Sequence, residues 1–213
     1  MKPITFALAK GRLADQTADL LEKCGIGCAD LRADSRRLII EDEKNGYRFL
    51  LVKPSDVPTY VEYGVADLGV AGKDSIMEAN FPLYEMLDLK VGKCKLSIAG
   101  FPDAREKQVT SAVKRVATKY PNIARRYYQS QGETIEVIKL NGSVELGPLL
   151  NLSDEILDIV ESGRTLKENG LVVLKDIFEI SARVVVNRVS LKTKGERINA
   201  VIDALRAQVE GNA

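Results

Sequence analysis

The sequence predicts a two-lobed α/β fold, on three observations. Short apolar runs alternate with amphipathic stretches almost from end to end, the pattern of parallel sheets covered by helices. The strands so counted are too many for one sheet in 213 residues. No low-complexity linker or internal repeat divides the chain, so two lobes are expected to arise from chain crossings, near 90–95 and again near 175–180. Lobe I is then 1–92 plus 178–213, and lobe II is 93–177. A ligand is expected in the cleft at the carboxyl ends of the strands.

The elements follow in order. Ile4–Leu8 reads as a strand and Leu13–Cys24 as a helix closed by Gly25. Leu38–Glu41 and Arg48–Val52 pair through Asn45-Gly46, a strong hairpin signal. Ser55 is expected to cap a helix that runs to Tyr63 and stops at Gly64. Asp67–Ala71 is the next strand, and Gly72-Lys73-Asp74 turns it into a short helix. Extended segments follow at Glu85–Leu89, Cys94–Phe101, Val113–Thr118 and Glu133–Leu140, with a helix near Asn122–Gln131. Ser153–Ile159 reads as a short helix-to-strand passage. Leu171–Ile180 and Arg183–Asn187 are extended, and Glu196–Val209 closes the chain as a helix.

Composition narrows the chemistry. The 31 basic and 30 acidic side chains nearly cancel, so no global field draws the chain to nucleic acid or to a membrane. No run approaches the ~20 apolar residues that span a bilayer, and Met1–Phe6 enters a strand-like segment without a signal peptide, so a cytoplasmic protein is expected. Cys24, Cys28 and Cys94 make no disulfide framework, and Gly25 and Gly27 favour a helix end over a metal knuckle. The chain has 0 histidines. That removes the usual general base, the Ser-His and Cys-His nucleophiles and most zinc sites. Carboxylates, Lys and Arg, backbone amides or an oxygen-held metal must do the work.

The strongest motif is Asp158-Ile-Val-Glu161-Ser162-Gly163-Arg164-Thr165-Leu166. An apolar strand ends in acidic residues, and a small-residue turn then opens a short helix. Ser162 and Thr165 offer hydroxyls, Gly163 lets backbone amides come close, and a helix amino end favours phosphate. Arg164 can add a charge-assisted contact, and Asp158 or Glu161 can hold ribose hydroxyls, or magnesium through water. The same letters also describe a capped helix after a turn, and the Walker spacing is absent. At Leu8-Ala9-Lys10-Gly11-Arg12-Leu13 two cations flank a glycine at a strand-to-helix junction, an arrangement that suits an anion or a solvated turn equally. Arg36 and Arg37 read as surface charges when taken alone. The glycines of Gly64–Asp74 serve either a nucleotide loop or close strand–helix packing, and Glu145 is either an oxygen ligand or an acid favouring a helix dipole.

Taken together, LAKGRL (8–13), SDVPTYVEYGVADLGVAGKD (55–74), ATKYPNIARRYY (117–128), IKLNGSVELGP (138–148) and DIVESGRTLKENGL (158–171) resemble the short-form catalytic subunit of the ATP phosphoribosyltransferase family. The resemblance implies a two-lobed fold like that of the type II periplasmic binding proteins. It implies transfer of ribose phosphate from phosphoribosyl pyrophosphate to N1 of the ATP adenine, with release of pyrophosphate and with Mg2+ present. The 5′-phosphate is then expected at 162–166 and the ribose at Asp158. Arg12 and Arg36 would approach the pyrophosphate and the ATP phosphates. Lys10, Gly11, Asp74 and Glu145 would line the cleft, and no protein metal ligand is implied. Only Glu210–Ala213 follow the last helix, as in the short form, so a histidyl-tRNA-synthetase-like regulatory subunit and a homodimer of the catalytic subunit are implied partners.

The missing histidines suit this chemistry. N1 carries a lone pair and needs no strong base, so catalysis can rest on positioning and on stabilising the leaving group. Two other readings remain: a phosphoribosyltransferase that salvages a nucleobase, and a non-catalytic two-lobed binding protein.

Overall fold

Ile4–Ala9 is buried at every position, which a strand achieves only when both faces of its sheet are covered. That strand is the centre from which the first unit is built. In the computed structural model, which describes residues 2–26, 37–104 and 113–211, the chain runs through β1 (Ile4–Ala9), α1 (Arg12–Lys23), β2 (Ile39–Asp42), β3 (Tyr47–Val52), α2 (Val57–Glu62), β4 (Leu68–Gly72), α3 (Lys73–Ala79) and β5 (Tyr84–Asp88). It continues through β6 (Cys94–Gly100), β7 (Lys114–Thr118), α4 (Pro121–Ser130), β8 (Ile135–Lys139), α5 (Leu146–Leu149), β9 (Glu155–Val160), α6 (Arg164–Glu168) and β10 (Val172–Ile180). It closes with β11 (Ala182–Val186) and α7 (Arg188–Gly211).

Two compact units result: Met1–Gly92 with Ser181–Ala213, and Lys93–Ile180. The return lies at 181 and not at 178, because β10 stays paired with β6 as far as Ile180. The first unit holds a sheet of order β2-β3-β1-β4-β11-β5, and the second a sheet of order β10-β6-β9-β7-β8. The expectation of parallel sheets is corrected. Among the described residues, only β1 with β3 and β4, and β7 with β8 and β9, run parallel. Each crossing strand enters against its neighbours, β6 antiparallel to β9 and β11 antiparallel to β4 and β5. Among the described residues, no helix is long and apolar enough to cross a membrane.

Local signals explain most elements. The hairpin forms as its Asn-Gly turn requires: Gly46 N–H reaches the Asp42 carbonyl at 2.9 Å, and Glu41 sits opposite Arg48 and accepts from its Nε at 2.8 Å. Three expectations fail for local reasons. Ser55 caps nothing; it lies inside a 3₁₀ turn, Pro54–Asp56, and its hydroxyl donates to Asp56. The passage at 153–159 holds no helix: β9 starts at Glu155, and the short helix lies upstream at Leu146–Leu149. The last helix begins at Arg188, eight residues before Glu196, because Asn187 Oδ1 accepts the N–H groups of Val189 and Ser190, each at 2.9 Å. A break at Lys194 (φ −129°, ψ 21°) divides that helix.

The residue at the break forms an ion pair with a buried carboxylate. Asp67, only 4% exposed, accepts from Lys194 Nζ at 2.8 and 3.0 Å, from Ser190 Oγ at 2.7 Å and from the Thr5 N–H at 2.9 Å. Lys194 Nζ also donates to the Pro3 carbonyl at 3.0 Å. One carboxylate thus ties β1, the loop before β4 and α7 together.

Both faces of the first sheet are covered. Ile4, Phe6, Leu8, Phe49, Leu68 and Val70 pack with Ile198, Ile202 and Leu205 of α7. On the other face Ala7, Ala9, Leu50, Ala71 and Val185 pack with Val57 and Val61 of α2. For Gly69 the packing reading holds. A Cβ there would stand 2.7 Å from Val57 Cγ1, 2.8 Å from Val61 Cγ2 and 3.1 Å from the Ala7 carbonyl. Gly69→Ala is therefore expected to lower stability by about 1–3 kcal/mol, the usual cost of overpacking. Denaturant melts with an unchanged m-value would read it, and a loss under about 0.5 kcal/mol would contradict the contact.

Candidate active site

In the second unit β7, β8 and β9 run parallel, so their carboxyl ends meet at one edge of the sheet. The segments that follow β8 and β9 carry Glu145 and residues 161–166. They enclose a pocket of about 260 Å³ lined by Ser97, Ala99, Glu145, Ile156, Asp158 and the unbroken run 159–166. Asp158 and Glu145 are half-buried there, while Glu161, Ser162, Arg164 and Thr165 are exposed.

The loop owes its shape to two residues. Gly163 takes the left-handed conformation (φ 69°, ψ 6°) immediately before α6, which a side chain would resist. No side chain caps that helix end; Ser162 Oγ stands 3.5 Å from the Arg164 N–H, at the limit of a hydrogen bond. Leu166 anchors the turn: its side chain is buried with Ala99, Ala117, Val144, Ile156 and Leu171. Leu166 therefore contributes to the pocket through its backbone, and its side chain belongs to the core. The result is a rim of N–H and hydroxyl donors with one guanidinium, facing a floor of carboxylates.

The floor rests on β6. Ser97 is directly opposite Asp158 in the β6–β9 ladder, and its hydroxyl donates to Asp176 of β10 at 2.8 Å. Lys95 pairs with Asp176 at 2.5 Å. The hydrogen bond from Lys95, then that from Ser97, holds the Asp176 carboxyl below the usual carboxylate range. At the far side of the same unit Arg115 grips Asp154 through Nη2 at 2.8 Å and its backbone N–H at 2.8 Å. Desolvation pushes the Asp154 carboxyl up, but those bonds and the Arg115 charge outweigh it and keep the group ionised. Tyr128 donates to the buried Glu155 at 2.6 Å, and burial first, then the Glu155 charge, drives its phenol pKa far up.

The other predicted residues lie in the first unit. Leu8 is paired with Val70 across β1 and β4, which places Lys10 level with Gly72 at the carboxyl edge of that sheet. Gly11 (φ 91°) opens α1, and Lys10 and Arg12 are exposed on either side of it. Asp74, 7% exposed, lies in the first turn of α3 and accepts weakly from Ser75 Oγ at 3.3 Å. Arg36 and Cys28 lie outside the described residues. Cys24 is half-buried, and desolvation raises its thiol pKa.

Sequence reasoning missed Ser97, Ala99, Ile156 and Asp176. A serine inside the apolar run Leu96–Ile98 was the available signal, but cross-strand register alone places it opposite Asp158.

The family model described as HisG, ATP phosphoribosyltransferase, matches residues 53–207. The chain belongs to the ATP phosphoribosyltransferase family. The ATP phosphoribosyltransferase of Ruminiclostridium cellulolyticum is 54% identical over 210 residues, covering 98% of each chain. That of Caldicellulosiruptor bescii is 55% identical over 208 residues, covering 97% of this chain and 99% of its own. A solved ATP phosphoribosyltransferase, in the HisG:HisZ complex from Thermotoga maritima, aligns over 99% of both chains with TM-score 0.85 and 36% identity. The VFT2 domain of Bordetella pertussis BvgS aligns over 98% of this chain and 92% of its own, with TM-score 0.56 and 12% identity; that likeness concerns the fold alone. The two-lobed, periplasmic-binding-protein-like class expected from the sequence is thereby established for this ATP phosphoribosyltransferase family member.

Proposed function

We propose that the chain joins N1 of the adenine of ATP to C1 of phosphoribosyl pyrophosphate, giving phosphoribosyl-ATP and pyrophosphate in the first step of histidine biosynthesis. Beside the family membership, the observation that carries this reading is the single pocket shared by the donor-rich loop 162–166 and the carboxylates Glu145, Asp158 and Glu161. A sugar phosphate has the matching polarity, an anion at one end and hydroxyl donors at the other.

In this reading the 5′-phosphate accepts from the backbone amides and hydroxyls around Ser162, Gly163 and Thr165, with Arg164 alongside. Asp158 receives ribose hydroxyls, with Glu161 beside it. The N1 lone pair forms the new bond to C1 as the C1–oxygen bond breaks, and that electron pair leaves with pyrophosphate. Arg12 and Arg36 stabilise the departing charge, while Lys10, Gly11 and Asp74 help to hold ATP or pyrophosphate. Among the described residues no group of three or more His, Cys, Asp or Glu side chains is placed to hold a metal. The oxygen donors of Asp158 and Glu161 suit a magnesium ion carried mainly by substrate phosphates. When bound, it supplies neutralisation of the pyrophosphate charge. The relative from Thermotoga maritima is in complex with HisZ; we extend to this chain a hetero-oligomer with such a regulatory subunit, and a homodimer of the catalytic chain.

The test mixes the protein with ATP, phosphoribosyl pyrophosphate and magnesium, with and without that subunit, and follows phosphoribosyl-ATP by absorbance. Turnover with a free nucleobase but not with ATP would replace this reading by base salvage. Binding without any consumption would leave a non-catalytic binder. Within the pocket, Thr165→Ala is expected to weaken phosphoribosyl pyrophosphate binding by about 1–3 kcal/mol, the range for a hydrogen bond to a charged group. Equal affinity in calorimetric titration would remove Thr165 from the phosphate site.

A further inference from the structure

The pocket of the second unit has two walls, the loop after β9 and the segment that joins β8 to α5. Leu166 fastens the first. In the second, Asn141, Gly142 and Ser143 are exposed and Glu145 is half-buried; within 141–145 only Val144 is buried, at 1% exposure. Val144 belongs to the same apolar cluster as Leu166, with Ala99, Ala117, Ile156 and Leu171. Both walls therefore rest on one cluster, and two of its members, Ala99 and Ile156, also line the pocket.

The backbone on either side leaves Glu145 little freedom. Ser143 takes the left-handed conformation (φ 47°), which a residue with a side chain holds only where its surroundings impose it. The Ser143 carbonyl accepts from the Leu146 N–H at 3.1 Å, and the Val144 carbonyl from the Gly147 N–H at 2.9 Å, so the chain turns tightly across Glu145. Gly147 is the next fixed point. A Cβ there would stand 2.9 Å from Ala117 Cβ, a member of the cluster that holds Val144. Glu145 directly precedes α5, but its side chain makes no capping hydrogen bond to that helix. The carboxylate instead lines the pocket with Asp158 and the run 159–166.

We propose that Val144 is a positioning residue of the sugar-phosphate pocket: its burial in the cluster that also anchors the phosphate loop fixes where the Glu145 carboxylate stands for the ligand's hydroxyls. The inference rests on the reading of this pocket as a ribose phosphate site. A phosphate is held by the amides and hydroxyls of the loop and has no need of Glu145. A sugar brings hydroxyl donors, which a carboxylate accepts. Such a group acts only while packing holds it within about 0.5 Å of the productive geometry. Shortening Val144 removes the one apolar anchor of segment 141–145 and lets Glu145 drift from that position, while Leu166 still holds the loop.

The experiment is calorimetric titration of the intact protein with ribose 5-phosphate, and with inorganic phosphate in parallel. Val144→Ala is expected to weaken ribose 5-phosphate binding roughly tenfold, the scale of one hydrogen bond to a charged group, and inorganic phosphate by less than about twofold. Glu145→Ala is expected to weaken ribose 5-phosphate by a similar factor. Because Val144 acts through Glu145, adding Val144→Ala to Glu145→Ala is expected to cost less than about twofold more. Val144→Ile keeps the anchor and is expected to stay within about threefold of wild type. A purely structural role predicts that Val144→Ala weakens both ligands alike and adds in full to Glu145→Ala; either result overturns the proposal. Unchanged ribose 5-phosphate affinity in Val144→Ala or in Glu145→Ala overturns it too, as does a loss in Val144→Ile as large as that in alanine. If a denaturant melt shows Val144→Ala unfolded, Val144→Thr takes its place: it keeps the shape but sets a hydroxyl in the apolar cluster, and the same selective loss of ribose 5-phosphate is expected. Wild-type protein that binds inorganic phosphate but ribose 5-phosphate no better would end the ribose reading of the pocket. Binding of neither would end the phosphate site itself, and the positioning role falls with either.

Discussion

Asp67→Ala is expected to cost about 3–5 kcal/mol of folding stability, the range for removing one partner of a buried ion pair. The magnitude follows from what the carboxylate leaves behind. Lys194 keeps an ammonium whose side chain is only 26% exposed, and Ser190 Oγ and the Thr5 N–H lose their acceptor. Unpaired donors in such places cost more than their hydrogen bonds contribute. Asp67→Asn retains an acceptor for Ser190 or Thr5 but not the charge, so it is expected to lose less than Ala. Denaturant unfolding of the whole chain measures both. A loss below about 1 kcal/mol for Asp67→Ala would mean that the pair only breaks even against its desolvation.

The second large effect is on chemistry. Arg12→Ala is expected to slow the single-turnover rate of phosphoribosyl transfer by roughly 10²–10³-fold, as for other preorganised donors that stabilise developing negative charge. Arg12 is exposed at the start of α1, and a denaturant melt of the variant beside the rate measurement separates the catalytic effect from misfolding. Arg12→Lys keeps the charge but not the planar fork and is expected to recover only part of the rate. An unchanged rate in Arg12→Ala would remove the residue from the leaving-group site.

Several parts of this protein are legible in its sequence. The Asn45-Gly46 hairpin is, because its turn chemistry is local and Gly46 has the backbone freedom the turn demands. The loop at 158–166 is legible for the same reason: acids at a strand end, then Ser-Gly and a helix start, all within nine residues of chain. Helix boundaries are less so. The sequence hides the start of α7 because Lys194 and Gly195 look like the approach to a helix, whereas Asn187, which caps it, sits at the end of a strand. Strand direction was misjudged at β6 and β11, whose sequences are ordinary apolar runs. Direction depends on where the chain re-enters each sheet, and no residue in the strand reports that.

The same division runs through the candidate site. The absence of histidine, the donor-rich loop and the family motifs were properties of the chain itself, and they defined the class of chemistry. Residue types and short spacings carry that information because amides, hydroxyls and guanidinium groups act alike wherever they are placed. The tertiary structure alone decided that Glu145 shares a pocket with the loop, that Leu166 is an anchor, and that Gly69 is a packing residue. It also decided that Ser97 lies opposite Asp158 and donates its hydrogen bond to Asp176, 79 residues away in sequence. The last is a matter of register between distant strands. A one-residue slip would turn Ser97 to the other face of its sheet.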